Sequence, residues 1–270
     1  MLSIIIPVRN EAQNITPLVL QLSEILSNRA HLEYEVIFID DYSSDNTVAL
    51  LNAISQKNSA IKVIEKQFEK IGVGVSFKLG VSHCKGEIIL VMDADFSHNP
   101  ADIPKLLNEL NEETDLVIGS RYIKGSRYYI QSSRKVLSKL FNSFLKHLFR
   151  VPISDITSGF RLVKKTKLLN LKLTAEKFDI HPEINLKAAL SNFQIKEVPI
   201  EFIQRRRGKS KLNYMPMLLR YCRLISNLLV HSVLSKLRGD SSFETHWKLN
   251  VKQDTIFVWN KRISTQYTDI

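Results

Sequence analysis

The stretch IILVMDAD, residues 88–95, is an unbroken apolar run that ends in two aspartates separated by one residue. An apolar run of this length without polar alternation predicts a strand that is covered on both faces of a parallel sheet. Similar short runs recur along the first 120 residues. The strand candidates are Leu2–Val8, Tyr34–Ile39, Ile61–Ile64, Glu87–Met92 and Leu116–Gly119.

Helix-like segments lie between these strands, at Ile15–Leu26, Asn46–Gln56, Val73–Cys84 and Ile103–Leu110. Alternation of strands and helices predicts an α/β fold, with a mostly parallel, Rossmann-like sheet that is flanked by helices. Ligands of such sheets bind at the carboxyl ends of the strands. The polar side chains that directly follow the apolar runs are therefore the candidate site.

After residue 121 the alternation stops. The later candidates are a basic amphipathic stretch at Gln131–Phe149, a helix near Pro182–Leu190, a strand near Gln194–Ile203 and an amphipathic helix at Met217–Ser235. The predicted apolar face of the last helix is Leu218, Tyr221, Cys222, Ile225, Leu228 and Leu229, with Arg220, Arg223 and Asn227 opposite. Its charged residues argue against a spanning helix. The tail, residues 239–270, has no assigned role.

The net charge of +11 predicts an anionic partner, such as a phosphorylated ligand or an anionic membrane. The basic residues are concentrated in two segments, since 121–150 and 202–239 contain eight and nine Lys or Arg and no acid. Two cysteines cannot build a disulfide framework, and the chain opens directly on a strand-like run rather than a signal peptide. We therefore expect a cytoplasmic protein in a reducing compartment.

Asp93 and Asp95 carry the strongest chemical signal. Two carboxylates at i and i+2 at the end of a strand can bind a hard divalent cation, Mg²⁺ or Mn²⁺, while substrate phosphates complete its coordination. Ser97 and His98 lie close enough in sequence to contribute. A lone Asp-x-Asp is common, and its position after a buried strand is what makes this one a metal-site candidate.

Two further polar segments follow strands at the same edge of the predicted sheet. Pro7 to Glu11 follows the first strand, and Asp40 and Asp41 follow the second. Carboxylates there can accept hydrogen bonds from a base or a ribose, whereas Asp45 is expected to act only as a helix cap. The segment Lys70–Gly74 is a glycine-containing turn where backbone can approach a phosphate, although it is not a P-loop.

Six motifs occur in a fixed order. They are Pro7-x-x-Asn10-Glu11, Ile39-Asp40-Asp41-x-Ser43-x-Asp45, Asp93-Ala94-Asp95-x-Ser97-His98, Gly119-Ser120-Arg121-Tyr122, Asp155-x-Thr157-Ser158-Gly159-Phe160-Arg161 and Arg205-x-x-Gly208-x-Ser210-Lys211. In this order the chain resembles family 2 glycosyltransferases with the GT-A fold. Within them it is most similar to dolichol-phosphate mannosyltransferase and related polyprenyl-phosphate glycosyltransferases. The resemblance covers residues 2–212.

The resemblance implies the roles of the site residues. Donor-binding residues would be Pro7, Arg9, Glu11, Asp40, Asp41, Lys70, Gly72, Gly74, Asp93, Ala94 and Asp95. The metal would lie on Asp93 and Asp95, with Ser97 where some relatives carry a glutamine ligand. Acceptor-phosphate residues would be Arg121, Arg134, Ser138, Arg205, Ser210 and Lys211, and the catalytic set would be Asp93, Asp95, Arg121 and Arg134. Arg206, Arg207 and Lys209 are expected to be surface charge, and His98 and His181 to be structural.

The implied activity is metal-dependent, inverting transfer of mannose or glucose from a nucleotide sugar, GDP-mannose or a UDP-sugar, to a polyprenyl or dolichyl phosphate. A phosphate monoester with a second pKa of about 6 is largely dianionic at neutral pH, so the acceptor needs no strong base. We expect a catalytic domain at residues 1–212 and a membrane-associating helix at 213–238, peripheral on the cytoplasmic face of an anionic membrane. A separate membrane subunit is compatible with this arrangement.

Three alternatives remain at this point. The same fold could act on a glycan or another non-lipid acceptor. A basic nucleic-acid-binding protein is permitted by charge alone, but no nucleic-acid motif occurs, and Phe141, Phe144 and Phe149 are predicted at helical core positions rather than on a stacking platform. We therefore expect no nucleic-acid partner. The intact pair Asp93 and Asp95 argues against a catalytically inactive scaffold.

Overall fold

In the computed structural model of the chain, the described residues are 1–29, 31–66, 72–129, 132–205 and 214–237. Residues 1–222 form one compact unit. The second unit, 223–270, is described only for the later part of one helix, residues 223–237. The predicted tail at 239–270 and the site candidates Lys70, Ser210 and Lys211 lie outside the described residues, together with Arg206, Arg207 and Lys209.

Strands and helices alternate through the first half, as predicted. The strands are β1 Leu2–Val8, β2 Tyr34–Asp40, β3 Ile61–Glu65, β4 Ile88–Val91, β5 Leu116–Ser120, β6 Arg127–Tyr129, β7 Arg161–Lys164, β8 Ile195–Pro199 and β9 Glu201–Ile203. The helices are α1 Ala12–Ser27, α2 Thr47–Ser55, α3 Val73–His83, α4 Ile103–Glu109, α5 Ser132–Phe149, α6 Lys165–Asn170, α7 Ile180–Leu190 and α8 Tyr214–Leu237.

The main sheet has seven strands in the order β3-β2-β1-β4-β7-β5-β8. Every pairing in it is parallel except those of β7, which runs antiparallel between β4 and β5. A second sheet pairs β6 with β9. The α/β, mostly parallel fold class predicted from the sequence is confirmed, with one antiparallel strand near its centre.

The strand expected near Gln194–Ile203 is in fact two strands, β8 and β9, which belong to different sheets. Between them Ile200 donates its N–H to Ser120 and accepts from Arg127, so the chain changes partner at this residue. Proline cannot donate to a ladder, and Pro199 therefore ends β8 at a natural break. This change of sheet carries β9 from the main sheet to the rim of the candidate site.

The buried core is the set of apolar side chains that the sheet and its flanking helices share. Ile4, Ile6 and Leu90 from β1 and β4 are fully buried, as are Ile15 and Leu18 from α1. On the other face, α3 packs closely on the sheet at Gly80, where an added Cβ would lie 2.6 Å from Ile5 Cγ2. The continuous apolar strands are thus covered by helices on both faces, as their lack of alternation predicts.

Glu183 on α7 is fully buried and organises the segment before that helix. It accepts hydrogen bonds from the backbone N–H groups of Thr174 and Ala175 and forms an ion pair with the equally buried Lys187 (2.7 Å). Burial lowers the pKa of Lys187, while Glu183 opposes that effect. A buried charge needs its partner, so Glu183 stabilises both the helix and the loop that precedes it.

We expect Glu183→Gln to lower the free energy of unfolding by about 3–5 kcal/mol, because Lys187 would stay buried without a carboxylate. The matched control is Glu109→Gln, which removes an ion pair to Lys196 whose side chains are 46% and 45% exposed. Exposed pairs contribute only about 0–1 kcal/mol. Urea denaturation of both variants measures the difference, and equal losses would contradict this account of Glu183.

Candidate active site

The ends of β1, β2 and β4 meet at one edge of the sheet, because β1 pairs in parallel with both neighbours. A cleft of about 200 Å³ opens there. Its lining residues are Pro7, Val8, Arg9, Glu11, Asp41, Gly72, Val73, Asp93, Ala94, Asp95, Lys177, Phe178 and Arg205. The structure thus brings most of the predicted donor-binding residues into one place, and leaves Asp40 and Gly74 outside the lining.

Asp40 and Asp41 have different environments although they are neighbours. Asp41 forms an ion pair with the buried Lys66 and accepts the N–H of Gly72 (3.2 Å), so it ties the end of β2 to the start of α3. Asp40 is not among the lining residues; its Oδ2 accepts the N–H of Ser43 (3.0 Å), and its buried Oδ1 has no hydrogen-bond partner among the described residues. One carboxylate oxygen of Asp40 therefore holds the turn, and the donor role predicted for this residue stays a prediction.

Asp45 acts as the expected cap, and it does so for two helices. Its carboxylate accepts the N–H of Thr47 at the start of α2 (3.0 Å) and the N–H of Ala12 at the start of α1 (3.2 Å). These bonds lower the pKa of Asp45 against the opposing effect of burial, the largest single influence. The cap therefore fixes the loop of β1 beside the loop of β2.

Asp93 and Asp95 lie in the cleft directly after β4. The Asp93 side chain is 35% exposed, whereas that of Asp95 is only 9% exposed. Burial and the nearby Asp95 raise the pKa of Asp93 to about 7. Asp95 accepts the N–H of Ser97 (3.0 Å) on one oxygen and pairs with Arg205 (2.8 Å) through the other.

The donor set suits a divalent cation whose remaining ligands come from a substrate. Two crowded carboxylates repel each other, and a divalent cation between them would relieve that repulsion. Among the described residues no three His, Cys, Asp or Glu side chains cluster as a self-contained metal site. Ser97, proposed as a third ligand, is buried and does not line the cleft, and its N–H is used by Asp95.

Lys177 and Phe178 line the cleft but belong to no motif in the sequence. They precede α7, and the backbone carbonyl of Glu176 accepts the N–H groups of Gly74 and Val75 at the start of α3 (3.1 and 3.2 Å). An added Cβ on Gly74 would lie 2.7 Å from the carbonyl oxygen of Ala175, so this close approach requires glycine. Glycines at 72 and 74 therefore admit a neighbouring segment, while Gly72 also lines the cleft and its approach to a phosphate stays a prediction.

Lys177 adds a cation above Asp41. Burial lowers the pKa of Lys177, Asp41 opposes the shift, and the nearby Arg220 adds to it. Arg220 is half-buried on α8, whereas Leu218 and Cys222, assigned to the apolar face, are exposed. The rest of the predicted apolar face, Tyr221, Ile225, Leu228 and Leu229, is buried or half-buried, and Arg223 and Asn227 are exposed. Arg220, which lies close to Lys177, is thus the polar residue that departs from the predicted pattern.

A second polar cluster surrounds Arg121. Its guanidinium binds Asp155 through Nε (2.7 Å) and Nη2 (2.6 Å) and donates a further hydrogen bond to Thr157 (2.8 Å). Three aromatic rings lie over it, those of Tyr122, Tyr128 and Phe202. Burial, the largest single influence, lowers the pKa of Arg121, but the charge and hydrogen bonds of Asp155 raise it to a net value above the ordinary one, and only 11% of the arginine side chain is exposed. One edge of the guanidinium is therefore fully used within the protein.

Ser138 on α5 is joined to this cluster by two hydrogen bonds. The hydroxyl of Tyr122 donates to Ser138 Oγ (2.6 Å), and the buried Asn142 donates both to the Ser138 carbonyl and to Thr157 (2.8 and 2.9 Å). Arg134 lies one helical turn before Ser138 and is exposed. Arg121 and Ser138 are thus held by one network, and Arg134 lies one turn away on the same helix, while the contact of all three with a phosphate stays a prediction.

The histidines that the sequence assigned to structure are both buried. His98 accepts the N–H of Asp93 (3.2 Å) and stacks on Phe160, and burial lowers the pKa of His98 to about 4. His181 accepts from Arg161 (2.9 Å), and burial holds the pKa of His181 well below its usual value. Both rings remain neutral near pH 7 and have an acceptor nitrogen in use, which suits a structural role.

The exposed face of α5 carries an apolar stripe, which we define as Val136, Leu137, Leu140 and Phe144. These four side chains are between 54% and 66% exposed, at spacings that place them on one side of the helix. Phe144 was expected in the core and instead faces solvent, while Phe149 is buried and Phe141 stacks on Tyr221 (5.3 Å). Arg134, Lys135 and Lys139 are exposed on the same helix.

No helix within the described parts of the chain combines the length and the apolar character needed to cross a bilayer.

A chain with this fold and this cleft can be compared with known protein families. Glycosyl transferase family 2 matches residues 3–171, and the chain is a member of that family. It is 34% identical over 219 residues to dolichol-phosphate mannosyltransferase of Pyrococcus furiosus, which covers 78% of this chain and 58% of that protein. The chain therefore spans less than two thirds of the length of this relative.

A second relative is covered more completely. Polyprenol monophosphomannose synthase of Mycolicibacterium smegmatis is 31% identical over 217 residues, covering 78% of this chain and 80% of that protein. Among solved structures, glucosyl-3-phosphoglycerate synthase from Mycobacterium tuberculosis with Mn²⁺, UDP and phosphoglyceric acid matches with a TM-score of 0.61 at 18% identity, over 87% of this chain and 78% of that one. The predicted GT-A fold and the predicted resemblance are confirmed.

We expect Lys177→Met to weaken binding of a nucleoside diphosphate with Mn²⁺ by about 10- to 100-fold, the range for a charge-assisted hydrogen bond. The reason is that Lys177 lines the cleft beside Asp41. Lys85→Met, which removes an exposed lysine outside the cleft, is the matched control. Calorimetric titration with GDP and with UDP measures both; equal affinities of the two variants would exclude Lys177 from the site.

Proposed function

We propose that this chain transfers a sugar, mannose in the first instance, from a nucleotide sugar to a polyprenyl phosphate at a membrane surface. The observation that carries the proposal is the position of α5. This one helix bears the candidate phosphate ligands Arg134 and Ser138 and also the exposed apolar stripe. A phosphate bound at Ser138 would thus have its hydrocarbon chain beside an apolar surface.

The donor would occupy the cleft at the ends of β1, β2 and β4. Glu11 and Asp41 line this cleft and would accept hydrogen bonds from the nucleoside. Lys177 and Arg9 would supply cations for the diphosphate, together with Arg205, which was predicted as an acceptor-phosphate residue but lines the donor cleft. The divalent metal, held by Asp93 and Asp95, would neutralise charge on the leaving diphosphate. The names of the mannosyltransferase relatives support GDP-mannose as the first donor to test.

The acceptor would bind through Arg134, Ser138 and the remaining N–H groups of Arg121. Within the described residues Arg121 Nη1 makes no hydrogen bond, so it is the part of the guanidinium that can still donate. Because Tyr122 donates to Ser138 Oγ, the hydroxyl hydrogen of Ser138 also remains available. A phosphate dianion only accepts hydrogen bonds and therefore suits both groups.

The proposed reaction joins the donor in the cleft to the acceptor phosphate at Arg121, Arg134 and Ser138. An oxygen of the acceptor phosphate bonds to the anomeric carbon while the bond from that carbon to the donor β-phosphate oxygen breaks, with inversion. The products are a lipid-linked sugar phosphate and a nucleoside diphosphate. No proton has to be removed from a dianionic nucleophile, and His98 and His181 are engaged elsewhere. The protein's task is to hold two anions in line against their repulsion.

A donor panel tests the proposal. Purified full-length chain is incubated with a short polyprenyl phosphate, Mn²⁺ or Mg²⁺, and GDP-mannose, UDP-glucose or a UDP-N-acetylhexosamine, and the lipid is analysed by mass. Mannosyl polyprenyl phosphate is the expected product. Transfer of a different sugar to the lipid would correct the assignment of the donor and leave the acceptor class unchanged. Transfer only to a soluble glycan acceptor, with none to the lipid, would overturn the acceptor class.

The metal assignment predicts that Asp93→Asn and Asp95→Asn each lower transfer at least on the order of 10²-fold, the scale of lost charge stabilisation in a transition state. Both residues lie at a strand end, so the fold should survive, which circular dichroism checks. Glu113→Gln, an exposed carboxylate on the far loop, is the control. Near-normal turnover of either aspartate variant, or full wild-type activity in EDTA, would remove the metal from the proposal.

The acceptor network predicts a selective effect of Tyr122→Phe. Loss of the hydroxyl that holds Ser138 should raise KM for the lipid phosphate about 3- to 10-fold, the worth of one neutral hydrogen bond, and leave donor affinity unchanged. Tyr128→Phe is the matched control, because its ring also lies over Arg121 and its hydroxyl makes no hydrogen bond with the described residues. Equal KM values for the two variants would contradict the role of Tyr122.

If the α5 stripe contacts the membrane, Leu137→Gln/Leu140→Gln should weaken binding to anionic liposomes at least about tenfold. Each leucine side chain that the membrane buries contributes about 1.5–3 kcal/mol to binding. The control Leu20→Gln/Leu169→Gln changes two exposed leucines elsewhere. Co-sedimentation at two salt concentrations measures both, and added salt should weaken wild-type binding. Equal binding by the two double variants would exclude the α5 stripe as the contact.

A further inference from the structure

Arg205 occupies a carboxylate that the proposed metal also needs. Its guanidinium lies 2.8 Å from Asp95 Oδ2, and the other oxygen of that carboxylate, Oδ1, accepts the N–H of Ser97. Asp95 is nearly buried, so water has little access to its remaining electron pairs. Asp93, by contrast, has a partly exposed carboxylate. In this structure the negative charge of Asp95 is therefore neutralised by an arginine.

We propose that Arg205 is the resident cation of Asp95, that a divalent metal displaces it from Oδ2, and that the displaced guanidinium then binds the donor diphosphate in the same cleft. The inference rests on the metal site of the proposed function. In this exchange of ion pairs, Asp95 binds the metal instead of the arginine. Arg205 binds a phosphate instead of the carboxylate. The ligand that completes the exchange is a nucleoside diphosphate.

Electrostatics gives the exchange a direction. A metal ion and a guanidinium on one carboxylate oxygen would repel each other, so metal alone must bind against the cost of breaking the Arg205 pair. After its release Arg205 would have no anionic partner, and a bound diphosphate supplies one. A guanidinium can donate to two phosphate oxygens at once. Metal and diphosphate should therefore bind cooperatively, each favouring the other by the same factor.

Because of the position of Arg205, the exchange requires only a short movement of its side chain. Arg205 already lines the cleft together with Asp93, Asp95 and Lys177, so it need not travel from another part of the protein. It also lies two residues after β9, whose Ile203 donates its N–H to the Ser97 carbonyl beside Asp95 (3.2 Å). The backbone on either side of the pair is thereby tied together, and only the side chain has to change partner.

The test is Mn²⁺ binding to the full chain, followed by electron paramagnetic resonance with and without GDP or UDP. Arg205→Gln removes the competing cation, and Arg9→Gln is the control, because it removes the same charge from the same cleft without a contact to Asp95. Without nucleotide, Arg205→Gln should bind Mn²⁺ about 5- to 30-fold more tightly than wild type and clearly more tightly than the control. Arg205→Lys, which keeps the charge, should lie near wild type.

With the nucleoside diphosphate present the advantage of Arg205→Gln in Mn²⁺ affinity should disappear. Arg205→Gln should then gain nothing over wild type, because the lost phosphate contact offsets the freed carboxylate. An equal gain in Arg205→Gln and Arg9→Gln, or the same gain with and without nucleotide, would overturn the exchange while leaving the metal site intact. Absence of Mn²⁺ binding by wild type and all variants, even with nucleotide, would overturn the metal site itself and the exchange with it. Thermal melting confirms that the variants are folded.

Discussion

The parallel hydrogen-bond ladder that joins β1 to β2 on one side and to β4 on the other is the interaction on which the candidate site depends. It pairs Val8 with Asp40 and Ile5 with Val91, so the chain leaves all three strands at one edge. A register shift of one residue would move Asp93 and Asp95 together to the other side of the sheet. The buried apolar faces of these strands set the register, and the register determines the positions of the site residues.

The second constraint is charge. The cleft gathers the carboxylates of Glu11, Asp41, Asp93 and Asp95, and a nucleotide diphosphate would add more negative charge. The structure offsets this with cations from separate parts of the chain. Lys66 pairs with Asp41, Arg205 pairs with Asp95, and Lys177 lies above Asp41. Arginine and lysine thus offset part of the negative charge of the site, and the proposed exchange would rearrange the Arg205 pair when metal and diphosphate bind.

The sequence predicted what local patterns control. Continuous apolar strands, the polar residues after them and the Asp93/Asp95 pair are all encoded within a few neighbouring residues, and the structure places them as expected. The features that were missed depend on distant contacts. Lys177 and Phe178 enter the cleft because Glu183 and the carbonyl of Glu176 hold their segment against α3, and no local pattern marks them. Likewise, Arg121 was predicted to bind the acceptor phosphate, yet Asp155 in another loop binds one edge of its guanidinium.

The central claim is that one cleft holds metal and donor diphosphate between Asp93, Asp95 and the surrounding cations. Its most direct test is a crystal structure of the full chain grown with Mn²⁺ and GDP, or UDP if GDP does not bind, with anomalous diffraction to locate manganese. The account predicts one manganese bound by Asp93 and Asp95, with the diphosphate beside Lys177 and Arg205. Manganese bound elsewhere, or a nucleotide whose diphosphate lies away from the end of β4, would contradict it.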